Sequence, residues 1–201
     1  GPNQETCEGT SSFTLSGNSP ANGLWSGVAI DPITGNIDVT QLTVDSLYKY
    51  TYCLTDVSVQ ACQACSTKTF IVHSLPVPLF DIEGLTCVNE DITIVDQTLG
   101  NNIILFNLGD GTTSSADSII HQYTNKGTYT ITLQVTNQFM CSASSSQEIY
   151  VTTRPISAFT LLDVEGCAPF ELMISNQSSG DDISYEWDIN NNSYNDSIPP
   201  S

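Results

Sequence analysis

The sequence predicts an all-β chain built from tandem repeats. Three observations predict it. Between Gly127 and Thr136 the residues alternate: Tyr129, Ile131, Leu133 and Val135 fall on one side, and Thr130, Thr132, Gln134 and Thr136 on the other. That is the period of a half-buried strand. Gly109-Asp110-Gly111 supplies turn chemistry ahead of it, because glycine accepts positive φ and an Asp carboxylate accepts local backbone N–H bonds. Cys7, Cys87 and Cys167 stand 80 residues apart, and a period of that length means one module per repeat.

Composition narrows the class. The chain has 201 residues, 13 % of them charged, with 4 basic against 22 acidic side chains and a net charge of −18. Such a surface repels nucleic acid and anionic membranes and attracts cations, Ca²⁺ above all. No apolar run approaches ~18 residues, so no helical span of a bilayer is expected. No charged segment followed by an apolar one marks a signal peptide. Seven cysteines in a Thr/Ser/Asn-rich, Lys-poor chain indicate an oxidising compartment.

The elements follow in order. Residues 1–75 form the first module. It opens with Cys7-Glu-Gly9, Phe13-Thr-Leu15 and Leu24-Trp-Ser-Gly27, and it ends in two adjacent strands, Leu47–Asp56 and Thr69–Val72. Residues 76–154 form the second. Cys87 leads through Asp91-Ile-Thr-Ile-Val-Asp-Gln-Thr-Leu-Gly100 into Phe106-Asn-Leu-Gly-Asp-Gly111. Residues 155–201 repeat its first half. Cys167 leads through Glu171-Leu-Met-Ile-Ser-Asn-Gln-Ser-Ser-Gly180 into Trp187-Asp-Ile-Asn-Asn-Asn192, and Ser157-Ala-Phe159 matches Pro78-Leu-Phe80. Asn tolerates left-handed backbone, so the turn survives the exchange of Gly for Asn. The third module lacks counterparts of Gly127–Val151, and half a module leaves an open apolar face. The expectation is a segment of something longer, its last module truncated. The linkers His73–Pro78 and Thr152–Pro155 are short and stiffened by proline.

Phe106, Leu108, Gly109, Asp110, Gly111, His121, Tyr123 and Tyr129 occur in the order aromatic-x-apolar-Gly-Asp-Gly, His-x-Tyr, Gly-x-Tyr-x-apolar-x-apolar. This pattern resembles the PKD (polycystic-kidney-disease) domain over about Pro76 to Thr153. Phe106 stands where that family usually has Trp. The resemblance implies an immunoglobulin-like β-sandwich, with His121 in a structural role near Tyr123. Tyr129 and Tyr48 follow the position of a tyrosine corner. The Gly-Pro-Asn-Gln opening, Cys-x-Gly and Trp-x-Gly of the first module resemble Ig-like repeats of very long surface proteins of Bacteroidota.

Counting back from Val72 and Val151 makes Cys62 and Cys141 equivalent. The expected bridges are Cys7–Cys62 and Cys87–Cys141, each worth roughly 4 kcal/mol in the chain-entropy model. Cys53 and Cys65 flank the Asp56–Ala61 hairpin, which suits a cross-strand bridge. Cys167 is expected to find its partner outside this chain. Cys62-Gln-Ala-Cys65 has neither the second ligand pair that zinc wants nor the βαβ setting of a redox dithiol.

Other chemistry is weighed against simpler roles. His121 and His73 have no nucleophile elbow to serve. Asp91, Asp96, Asp110 and Asp117 offer hard oxygen ligands, and Asp110 and Asp117 are the weak candidates for Ca²⁺, but no Asp-x-Asp-x-Asp-Gly loop is present. Solvated carboxylates and a turn-forming Asp110 are the simpler reading. No other metal or cofactor is expected. Trp25, Trp187, Tyr48, Tyr50 and Tyr52 could stack on sugars, yet three tyrosines on one strand face suit a core. Asp45-Ser46-Leu47, Asp117-Ser118-Ile119 and Asp196-Ser197-Ile198 are similar to the O-glycosylation signal of Bacteroidota, which makes Ser46, Ser118 and Ser197 candidate sites.

These resemblances imply a non-catalytic segment of a secreted, extracellular cell-surface repeat protein. The nearest are giant gliding-motility adhesins exported by type IX secretion. Its partners would be neighbouring repeats, surface glycans or other surface proteins, with no nucleic acid and no membrane insertion. The alternative is an accessory carbohydrate- or protein-binding module of an extracellular hydrolase.

Overall fold

The computed structural model describes residues 4–17, 22–55, 63–162, 165, 167, 173–181 and 183–188. The fold is all-β, as the alternation requires. In chain order the strands are β1 (Gln4–Cys7), β2 (Ser12–Thr14), β3 (Leu24–Ser26), β4 (Asn36–Asp38), β5 (Leu47–Thr55) and β6 (Gln63–His73). They continue as β7 (Phe80–Gly84), β8 (Asp91–Asp96), β9 (Ile103–Asn107), β10 (Thr113–Ser114), β11 (Ser118–Gln122), β12 (Gly127–Thr136) and β13 (Ser142–Val151). Two short strands, β14 (Phe159–Leu161) and β15 (Ile174–Asn176), are the last among the described residues. One 3₁₀ turn, Val39–Gln41, starts where the Asp38 carboxylate accepts from Thr40 N–H.

The first sheet runs β1-β6-β5-β3. Its edge strand β1 lies parallel to β6, which sets Cys7 opposite His73. A β2–β4 ribbon accompanies it. Downstream, one sheet runs β10-β9-β12-β13 and another β11-β8-β7. The last pair, β14–β15, is antiparallel.

Two compact units make up the chain. One comprises Gly1–Ile82, Ile94–Ile119 and Thr130–Gln147. Its packing centres on two groups. Trp25, Ile37, Val39, Tyr50, Tyr52, Phe70 and Val72 form one cluster. Phe80, Ile94, Ile104, Phe106, Leu108, Ile131, Leu133 and Val135 are buried in the other sheets. Burying one such side chain stabilises by about 1.5–3 kcal/mol. Trp25 and Tyr52 stand opposite one another in the β3–β5 pairing, with ring centroids 4.9 Å apart. Gly27 belongs there for a steric reason: a Cβ would sit 2.3 Å from the Tyr50 ring.

The other unit comprises Glu83–Thr93, Ile120–Tyr129 and Glu148–Ser201. Ile92, Tyr123 and Val151 are buried in it. Cys87 bridges in parallel to Thr152, and Arg154 pairs with Glu90 at 2.8 Å. Lys126 meets Asp181 at 3.1 Å. That ammonium, with the Thr153 hydroxyl behind it, holds the Asp181 carboxyl below its ordinary value.

The sequence repeat is visible in individual hydrogen bonds. Gln97 N–H donates to Leu79 O at 2.8 Å, and Gln177 N–H donates to Ala158 O at 2.8 Å. Thr98 Oγ1 binds Leu79 O and Leu79 N–H; Ser178 Oγ does the same with Ala158. Asp96 and Asn176 each accept from the backbone N–H two residues on. Phe80 and Phe106 meet edge to face at 5.5 Å, and Phe159 and Trp187 repeat that geometry at 5.5 Å.

Candidate functional site

A set of specific contacts gathers where β1 and β6 end. Past β12 the chain makes a tight turn in which the Asn137 side-chain oxygen accepts from Phe139 N–H and Cys141 N–H. Met140 takes a left-handed φ of 63° there. This turn aims Cys141 at Cys7, and the two are joined, with Cα atoms 5.5 Å apart. That separation is normal for a disulfide. Two residues before Cys141, the Phe139 ring stacks on His73, centroids 3.7 Å apart and planes 6° from parallel. His73 is buried, and its Nε2 lies 3.0 Å from Glu5 Oε2. Asn137 Nδ2 donates to Ser74 O at 3.0 Å. On the other side Ser74 N–H donates to Asp45 Oδ1 at 3.1 Å. Bonds from Ser74, side chain and backbone, keep the Asp45 carboxyl below its ordinary value. One covalent bond from the end of β1, and one ring stack and one hydrogen bond from the end of β6, thus fasten the paired ends of these strands to the turn after β12.

This overturns two expected pairings. Cys7 is bonded to Cys141 rather than Cys62, and Cys87 is free rather than bonded to Cys141. Counting from strand ends assumed that each repeat closes on itself. The parallel β1–β6 pairing instead carries Cys7 to the end of β6, where the Asn137–Cys141 turn sits. Cys87 is drawn to Thr152 by backbone pairing. Cys62 lies outside the described residues. Cys53 and Cys65 face each other in the β5–β6 register and are bridged. Cys167 is exposed and free. The cluster's other members, His73, Glu5, Asn137 and Phe139, escaped sequence reading. His73 reads as a linker residue, and its contacts lie too far away in sequence to leave a local pattern.

The motif residues take structural positions. Leu108 and Phe106 are fully buried. Asn107 Oδ1 accepts from Gly109 N–H, and Asp110 Oδ1 from Thr112 N–H, so the Asp110 carboxylate is engaged in its own turn. Gly109 has φ +83°, and a Cβ there would lie 2.8 Å from Thr130 O. Gly111, at φ +95°, faces open space. His121 meets the buried Tyr123 edge to face at 4.7 Å. Tyr123 stacks on Tyr129 at 4.1 Å, and the Tyr129 hydroxyl donates to Asn125 O. Tyr48 makes the matching return, its hydroxyl accepting from Thr43 N–H at 2.7 Å. Tyr50 and Tyr52 are buried. Burial pushes the Tyr50 phenol up to about 12, while its hydroxyl donates to Val28 O.

Among the described residues, no three His, Cys, Asp or Glu side chains gather as metal ligands. Asp117 contributes its carbonyl to Asp96 N–H. Ser118 is exposed at the head of β11, whereas Ser46 is half-buried with its hydroxyl toward Val44 O. Ser197 lies outside the described residues. No described helix is long and apolar enough to cross a membrane.

Residues 82–153 match the family model described as the PKD domain. No curated protein matches the chain. Among solved structures, the PKD1 domain of the Vibrio cholerae metalloprotease PrtV is 27 % identical, covering 38 % of this chain and 96 % of that one, with a TM-score of 0.35. The PKD1 domain of Vibrio anguillarum Epp is 20 % identical over 40 % of this chain and 96 % of its own, with a TM-score of 0.36. A structure described as a carbohydrate-binding module of the β-sandwich superfamily is 23 % identical over 43 % and 44 %, with a TM-score of 0.37.

Proposed function

We propose that this chain is a non-catalytic spacer of a long extracellular repeat protein, made of modules at 1–75, 76–154 and 155–201, whose output is reach and stiffness. The observation that carries the reading is the Cys7–Cys141 bridge with its stacked His73–Phe139 pair. On this module division it ties the first module to the second, so the joint between them resists bending and extension. The short, proline-bearing linkers act in the same direction. Neighbouring modules of the same protein are the first partners, and surface glycans or proteins the next.

Force spectroscopy tests this. The bridge spans 134 positions, and extended chain measures about 3.3–3.6 Å per residue. Pulling the ends of the oxidised chain should therefore leave roughly 440–480 Å of contour length locked, and that length should appear once reductant is added. Equal contour lengths with and without reductant would remove the spacer reading. The finer placing, a gliding-type adhesin of Bacteroidota exported by type IX secretion, rests on the Gly-Pro-Asn-Gln opening and the Asp-Ser-aliphatic triplets. A sorting domain at the C-terminus of the parent protein is its test.

A second reading has one specific observation in its favour. Phe159, Tyr185 and Trp187 line an open groove of about 430 Å³ beside Asn176 and Asp188, a mixture of rings and polar groups that suits a sugar. On that reading the chain is an accessory binding module of an extracellular hydrolase, and saturable binding on a glycan array would favour it.

A further inference from the structure

Cys7 and Cys87 hold the same place, hydrogen bond for hydrogen bond. In the first unit Cys7 lies in parallel opposite His73, the last residue of β6. Glu8 N–H donates to His73 O at 2.8 Å, and Thr10 N–H donates to Cys7 O at 3.3 Å. In the second unit Cys87 lies in parallel opposite Thr152, one residue past β13. Val88 N–H donates to Thr152 O at 2.9 Å, and Glu90 N–H donates to Cys87 O at 3.1 Å. The chain that leaves each place is equally long. Phe80 follows His73 by seven positions, and Phe159 follows Thr152 by seven. Both phenylalanines open a strand. Cys87 is therefore to its module what Cys7 is to the one before it. Their sulfurs differ in state: Cys7 is bonded to Cys141, in a turn of the following module, whereas Cys87 is half-buried and free.

We infer that Cys87 is a cross-linking site, and that its partner is a turn cysteine of the next module along the same polypeptide. The partner's chemistry follows from Cys141. It is a cysteine four positions after an asparagine, held as Asn137 Oδ1 holds Cys141 N–H. It stands about as far along the chain from Cys87 as Cys141 stands from Cys7, a separation of 134. Cys167 does not meet this description. It follows Cys87 by 80 positions, as Cys87 follows Cys7, so it is a further cysteine of the Cys7 kind. The bond forms in two exchanges with a low-molecular-weight disulfide such as oxidised glutathione. The Cys87 thiolate attacks that disulfide and releases one glutathione thiolate. The partner's thiolate then attacks the Cys87 sulfur and releases the second. Two cysteine thiols are oxidised, one glutathione disulfide is reduced, and the two protons pass to the released thiolates. This rests on the tandem-module reading, but the force experiment reads Cys7–Cys141 and the test below reads Cys87, so either can fail without the other.

The test is non-reducing peptide mapping of the full-length protein from its native host, with iodoacetamide present from lysis onward to cap free thiols. The expected result is no alkylated Cys87, and a Cys87 peptide joined to one peptide of the same polypeptide in which cysteine stands four positions after asparagine. Cys87→Ser should leave that partner alkylated while Cys7 stays joined to Cys141, a pattern that general unfolding would not give. As a second measurement, the 201-residue chain is alkylated in native buffer. Its Cys87 should react within about tenfold of its rate in urea, as an accessible thiol does. Alkylated Cys87 in the full-length protein overturns the inference, and so does a Cys87 that the 201-residue chain protects until urea is added. A bond from Cys87 to Cys62 or Cys167 overturns it too. So does a bond to a second copy, seen as a dimer band on a non-reducing gel that reductant removes.

Discussion

Replacing Cys7 and Cys141 together by alanine is the sharpest perturbation available. The bridge closes 134 positions of chain. In the chain-entropy model that is worth about 5 kcal/mol, against about 3 kcal/mol for the Cys53–Cys65 loop, which spans 12 positions. Cys141 is buried, so a smaller packing loss adds to the larger loss that comes through the unfolded chain. Urea unfolding without reductant, followed by Trp25 emission in a Trp187→Phe background, isolates the first compact unit. At a urea slope of about 2 kcal/mol per molar, the midpoint should fall by roughly 2–3 M. Phe139→Ala is the companion variant. It keeps the bridge and removes the ring stacked on His73, which should cost about 1–2 kcal/mol. Two results would refute the reasoning: a double variant whose midpoint lies within about 0.5 M of the parent, or non-reducing peptide mapping that joins Cys7 to Cys62.

Further predictions concern the turn, acid and the surface hydroxyls. Gly109→Ala should destabilise by more than ~2 kcal/mol, because a left-handed φ costs roughly 1–2 kcal/mol and its Cβ would also strike Thr130 O at 2.8 Å. Gly111→Ala, with open space around it, should show only the backbone cost, and thermal melts of the pair separate the two contributions. Asp45 and Asp181 have lowered carboxyl values in the folded chain. Their contribution is therefore complete above the ordinary Asp value near 4 and is lost as pH falls through the lower folded values. Asp45→Asn should flatten the drop in melting temperature below pH 4. Ser118 is exposed while Ser46 turns its hydroxyl to Val44 O. Intact-mass analysis of protein from the native host should thus find hexose-sized additions at Ser118 before Ser46, and their absence from both would remove the glycosylation proposal.

Much of the fold was written in local pattern. The alternation from Tyr129 to Val135 put Ile131, Leu133 and Val135 inside, and all three are fully buried. The Gly-Asp-Gly turn, with Tyr129 returning to Asn125 O, was equally local. Tyr50 and Tyr52 went to the core because strand alternation left them no other place. The bridge partners were not legible. Which cysteines meet depends on β1 adding to β6 in parallel and on the turn at Asn137, and neither leaves a signal within a short window. The His73–Phe139 stack failed for the same reason: each residue looks ordinary until the chain brings them together.

The Cys53–Cys65 bridge has a consequence for survival outside a cell. A peptide bond hydrolysed anywhere between those cysteines leaves both pieces attached, and a cut between residues 7 and 141 is likewise held by the longer bridge. Proteases can nick most of this molecule without parting it. The damage shows only on a reducing gel, as two bands where a non-reducing gel shows one.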